Sequence, residues 1–170
     1  MTKRLGLTLV EIIIVIGIIA ILSTFASFNI VRSRNVVSLD STVSSLINDI
    51  KSQQIQAMSG FTQAGVQNPY YGIYFDSNIE PNRYILFHTA SYQLDDSANF
   101  PINLDQDNKF ILPINLPDNQ IVFASSSGEI KDFDPNFNPD HSYNITLKNI
   151  NSNEQKTIYF NKFGVVYAIN

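Results

Sequence analysis

Few residues in this 170-residue chain are placed to do chemistry. The most unusual ionisable group is Glu11. It is the only charge in the run Leu7 to Phe28 (LTLVEIIIVIGIIAILSTFASF), and Ile12 to Leu22 holds no polar side chain. A carboxylate near the start of such a run is costly to bury alone, and an ionisable group there is a functional candidate. A second candidate is the stretch from Asp132 to Asp140 (DFDPNFNPD), with an oxygen-bearing side chain at every second position. Oxygens on Asp132, Asp134, Asn136, Asn138 and Asp140 could wrap a hard cation such as Ca2+. The stretch lacks the sixth-position glycine and closing glutamate of an EF-hand loop, and its Asp and Asn residues also suit Asx-turns. Asp105 and Asp107 form a weaker acidic pair.

Other chemistries are excluded or unsupported. The chain has no cysteine, which rules out disulfides, thiolate catalysis and Cys-based metal sites. His88 and His141 are its only histidines, too few for a His-rich metal cluster. No serine sits in a nucleophile motif. The chain therefore reads as no enzyme, with no cofactor beyond the one cation candidate. Asn144-Ile145-Thr146 is a glycosylation sequon of the kind chance supplies.

The elements that must position Glu11 come next. An apolar stretch of about 20 residues is long enough to cross a bilayer as a helix, and a helix satisfies its own backbone there. This predicts a span over 7–28 behind a short basic leader, residues 1–6. Three other readings compete: a secretory signal peptide, a plain single-pass anchor and a buried core helix. The first lacks a well-placed small-residue cleavage site. The second leaves Glu11 unexplained. The third finds nothing else in the chain apolar enough to enclose it. Lys3 and Arg4 before the span balance Arg32 and Arg34 after it, so charge counting does not orient it.

The helix is expected to run on through residues 29–60. Val36, Leu39, Val43, Leu46 and Ile50 recur at spacings of three and four, one apolar stripe of an amphipathic helix. Asp40, Ser44, Asn48, Asp49 and Lys51 fall on other faces. Ile55, Ala57 and Met58 extend the apolar side to Gly60, a C-terminal stop. A helix from about Thr8 to Ser59 would be roughly 75–80 Å long. The stripe is short for an exposed coiled-coil stalk.

From Phe61 to Asn170 the pattern is β. Seven strands are expected, starting with Tyr70 to Phe75 and a hairpin partner at Arg83 to Thr89. Short strands follow at Phe110 to Ile114 and Gln120 to Ala124, then Tyr143 to Leu147, Lys156 to Phe160 and Val165 to Ile169. Residues 91–108 and 129–140 read as polar loops, and Asn161 to Gly164 as a hairpin turn. Short turns imply antiparallel sheets, so the fold class is α+β: a long N-terminal helix packed on an antiparallel sheet domain.

Gly6-Leu7-Thr8-Leu9-Val10-Glu11 before an aliphatic run resembles the prepilin cleavage and methylation signature of type IV pilins and type II secretion pseudopilins. Leu7 stands where phenylalanine is commonest. Thr157-Ile158-Tyr159-Phe160-Asn161 and Gly164-Val165-Val166 more loosely resemble the closing segment of H-type minor pseudopilins, the GspH/FimT group. The Gln53, Gln54 and Gln56 cluster replaces an arginine often found there. The resemblance implies a pilin-like fold and cleavage between Gly6 and Leu7 by the prepilin peptidase. It also implies N-methylation of Leu7, and Glu11 paired with the N-terminal amine of a neighbouring subunit. Buried acid and buried ammonium each need the other. Implied partners are other pilins or pseudopilins, the peptidase, an inner-membrane assembly platform, and membrane lipid before assembly. The implied location is the inner membrane, C-terminal domain outside, and then the pilus or pseudopilus. Gly17 would permit close helix packing or a local bend.

Loss of the leader would leave 9 basic and 15 acidic side chains, a formal charge of −6. That balance argues against nucleic acid as a general partner. A DNA-uptake subunit remains the rival within the family, through a local patch of Lys148, Lys156 and Lys162. The rival outside it is an anchored binding or adhesion domain that never polymerises.

Overall fold

The computed structural model describes residues 9–60, 62–63, 66–67, 70–134, 136 and 143–169, without side chains at 24–36, 62–63, 66–67 and 167–168. Helix α1, Leu9–Ser59, is one continuous element of 51 residues, about 77 Å at 1.5 Å per residue. Gly60 ends it with φ +62°, a left-handed conformation that glycine adopts without a Cβ penalty. A short ribbon, β1 (Thr62–Gln63) with β2 (Val66–Gln67), follows.

Two antiparallel four-stranded sheets complete the fold, which is α+β. The first sheet holds β3 (Tyr70–Asp76), β4 (Arg83–Phe87), β5 (Phe100–Asn103) and β7 (Gln120–Ala124), in the order β5-β4-β3-β7. The second holds β6 (Asn108–Phe110), β8 (Tyr143–Asn149), β9 (Gln155–Phe160) and β10 (Val166–Ile169), in the order β10-β9-β8-β6. In β3, Tyr71, Ile73 and Phe75 are buried at alternate positions, as are Ile145 and Leu147 in β8. Gly72 lies opposite Phe87, and a Cβ there would sit 2.4 Å from that ring, so the close ring approach requires glycine.

The C-terminal half of α1 closes this core. Leu39, Val43, Leu46, Ile50 and Ala57 are buried together with residues of both sheets. The stripe continues from Ile50 through Gln53 to Ala57, spacings of three and four. Ile55 and Met58, expected on the apolar side, are instead 63% and 51% exposed, because they fall off that spacing. Val36 lies outside the described side chains.

Polar ties fix the helix to the sheets. Tyr84 Oη donates to Asp49 at 2.5 Å. Asn108 Nδ2 donates to Thr42 Oγ1 at 2.8 Å, and Ser38 Oγ donates to Asp105 at 2.8 Å. Lys156 pairs with Asp40. At the far end, Gln54 Nε2 donates to the carbonyls of Gly128 at 2.8 Å and Phe163 at 2.5 Å, clamping two hairpin turns.

Three expectations need correction. The segment 91–108 is not wholly loop, since it contains β5 and the start of β6. Pro101 breaks the strand signature, yet an edge strand tolerates it. The strand expected at Phe110 to Ile114 is Asn108–Phe110 instead, and the chain leaves the ladder before Pro113. The β1–β2 ribbon was not among the expected strands.

Candidate functional site: the uncovered half of the helix

The two ends of α1 have opposite environments. Between Leu9 and Leu22, 11 large aliphatic side chains are each 47–75% exposed. They occupy consecutive positions such as Ile12 to Ile16, and so cover every face of the helix. Gly17 lies among them, and a Cβ there would meet nothing within 4 Å. Among the described residues, no contact requires glycine at this position. Monomeric soluble proteins rarely expose contiguous apolar patches beyond a few hundred Å2, and larger ones mark protein or membrane interaction sites.

Glu11 lies in the first turn of the described helix and is the only charge from Leu9 to Ser23. The positive end of the helix macrodipole favours a carboxylate there. Gly6 and Leu7 lie outside the described residues. Among the described residues, no helix is long and apolar enough to cross a membrane. The expected span, 7–28, extends beyond the described side chains at both ends.

The other sequence candidates resolve differently. Asp132 pairs with Lys131 at 2.6 Å. Asp134 Oδ1 accepts the Asn136 backbone N–H at 2.8 Å, an Asx-turn, and the Asp134 N–H donates to Tyr143 Oη at 3.0 Å. Asn138 and Asp140 lie outside the described residues. Among the described residues no three acidic or histidine side chains gather to hold a metal. Asp105 is engaged by Ser38, while the backbone carbonyl of Asp107 accepts from Ile150 at 2.7 Å. Two members of the lysine patch face carboxylates: Lys156 pairs with Asp40, and Lys162 lies 3.7 Å from Glu129.

Two groups on the sheet domain escaped the sequence reading. Burial and the hydrogen bond to Asp49 raise the Tyr84 phenol well above its usual range, which keeps it a neutral donor. Burial lowers the His88 pKa, with Asp96 opposing, and its ring lies 4.9 Å from that of Tyr71. The heptad-like spacing through Gln53 was the available signal that a polar side chain points inward there.

No protein-family model, curated protein or solved structure matches this chain.

Proposed function

We propose that this chain is a minor pilin or pseudopilin, a structural subunit of a type IV pilus or type II secretion pseudopilus. In this reading the long helix on antiparallel sheets is a pilin-like fold of the H-type group. The observation that carries it is the uncovered aliphatic half of α1, bearing one acid at its start. A helix satisfies its own backbone and can leave a sheet domain unaccompanied, but side chains such as Ile13 and Ile16 need an apolar surrounding. Lipid supplies it before assembly, and neighbouring helices supply it afterwards. Each subunit, offset from the last, makes a heterologous contact that propagates as a helical filament. Glu11 sets the register by meeting the amine that cleavage after Gly6 creates on the next subunit. Uncovered Gly17 suits close approach of a neighbouring helix.

The test is Glu11→Ala in native cells. Leader removal continues and incorporation into filaments falls. Incorporation at the parent level would sink the register argument. Carboxylate pairing of Lys156 and Lys162 weighs against the DNA-uptake reading.

A further inference from the structure

The polar contact between α1 and the second sheet runs through two buried asparagines. Asn108 in β6 is 2% exposed, and Asn149 at the end of β8 is 0% exposed. Asn108 Nδ2 donates to Thr42 Oγ1 at 2.8 Å and to Ser38 Oγ at 3.2 Å. Asn108 Oδ1 accepts from Asn149 Nδ2 at 2.9 Å. Asn149 Oδ1 in turn accepts the backbone N–H groups of Asn151 at 3.1 Å and Ser152 at 3.0 Å. The helix is thus tied, amide to amide, to the turn between β8 and β9, and each amide uses both its ends. A buried network satisfied throughout favours one arrangement, because a displaced one leaves an enclosed group without a partner.

The apolar stripe alone selects the axial position of the helix weakly. A shift of four residues, about 6 Å, sets Val43 in the place of Leu39, Ile47 in that of Val43 and Ile50 in that of Leu46. Each exchange puts one aliphatic side chain where another stood, and cores tolerate such swaps. Only at Ile50 does the stripe resist, where Gln54 would enter. The stripe itself opposes the reverse shift, which sets Thr42 in the place of Leu46.

The polar ties discriminate where the stripe does not. The forward shift puts Leu46 in the place of Thr42, so the enclosed Asn108 amide would lose its nearest acceptor on the helix. At the other end it puts Met58 in the place of Gln54, and the carbonyls of Gly128 and Phe163 would lose their donor. A single buried polar residue can fix the register of packed helices in the same way.

That register has a consequence for the uncovered half. Between Glu11 and Thr42 the helix advances about 46 Å without interruption. A filament repeats one heterologous contact, so every subunit must hold its sheet domain at the same height above Glu11. We propose that Asn108 and Asn149 are positioning residues for assembly, which with Thr42 lock the axial register of α1 on the sheet domain and so set where Glu11 stands relative to it. The positioning role rests on the filament reading, whereas the lock is a property of the single chain.

The test is the distance between two spin labels, measured by double electron–electron resonance on the full chain in detergent. The chain has no cysteine, so Val37→Cys and Ser127→Cys carry the labels alone. Val37 is exposed, and Ser127 lies in the turn whose Ser126 N–H donates to the Ala57 carbonyl at 3.1 Å. About 30 Å of helix lies between Val37 and Ala57. The otherwise unchanged chain should give one distance. Asn108→Leu and Thr42→Val should each add a second population, longer by about 6 Å, and adding Gln54→Ala should enlarge it. Thr42→Val keeps the side-chain shape and removes one acceptor, which keeps the test decisive if Asn108→Leu does not fold. A single unchanged distance in all these variants would overturn the lock. In native cells the unlabelled Asn108→Leu and Thr42→Val chains should enter filaments less than the parent does. Entry at the parent level, with Glu11→Ala excluded, would overturn the positioning role. Normal entry of Glu11→Ala would sink the filament reading instead, and the label distances would still decide the lock.

Discussion

Leu46 and Ile16 are apolar residues on one uninterrupted helix, yet Leu46 is 0% exposed and Ile16 is 60% exposed. Backbone hydrogen bonding within α1 is indifferent to what lies beside it, so the helix persists across both environments. Side chains make the difference. In the C-terminal half, spacings of three and four gather the apolar residues onto one stripe, and the remaining faces are polar enough for water. From Leu9 to Leu22 aliphatic residues fall on every face, and the large ones are 47–75% exposed. The covered stripe is part of the core shared with both sheets, and the aliphatic run from Leu9 to Leu22 is not.

Substitutions in the two halves should therefore have opposite readouts. Leu46→Ala removes a fully buried side chain from the joint between helix and sheets. It should destabilise the domain by about 2–5 kcal/mol in thermal or denaturant unfolding of the full chain in detergent. Ile16→Ala should stay within about 0.5 kcal/mol in the same assay. Equal losses at the two sites would mean that the uncovered half packs on the domain.

The glycines repeat the contrast at smaller scale. Gly164 has φ +68°, and a Cβ there would lie 2.5 Å from the Phe123 ring and 2.9 Å from Gln54. Gly164→Ala should cost about 2–3 kcal/mol. Gly17→Ala, with open space around it, should leave domain unfolding unchanged. Gln54→Ala deletes both donations to Gly128 and Phe163 and should cost about 1–2 kcal/mol. Because Gln54 and Gly164 touch, the double variant should cost less than the sum.

The smallest expected effect is one of pH. Burial holds the folded His88 pKa below its ordinary value of 6.5, with Asp96 opposing. Between those two values the unfolded chain binds more protons. This stability is therefore complete above about pH 6.5 and is lost as pH falls toward the folded pKa. His88→Gln should flatten that part of the melting-temperature profile relative to the parent. An unchanged slope would place His88 in a solvent-like environment.

Much of this architecture can be read from local signals. The three-and-four spacing of Leu39, Val43, Leu46 and Ile50 and the stop at Gly60 locate the covered half. Tyr70 to Phe75 and Arg83 to Thr89 read as a hairpin because strand-forming runs flank a turn, and the structure pairs Tyr70–Asp76 with Arg83–Phe87. What the chain order hides is non-local. β7 returns to pair with β3, and β6 with β8, through contacts that no local pattern encodes. β5 was lost because Pro101 opposes strand propensity, and only its edge position reconciles the two. Ile55 and Met58 look like core until the register is carried through Gln53. That register also places Gln53 in the interior, where a buried glutamine looks like any surface glutamine until its neighbours are known. Glu11, by contrast, is conspicuous in the sequence, because it is the only charge in the run from Leu7 to Phe28.

The most direct test of the central account is the mass of the N-terminal peptide recovered from sheared filaments of native cells. The account predicts a peptide beginning at N-methylated Leu7 in the filament fraction. A peptide that retains Met1 to Gly6, found only in membranes, would contradict it and leave an anchored domain that does not polymerise.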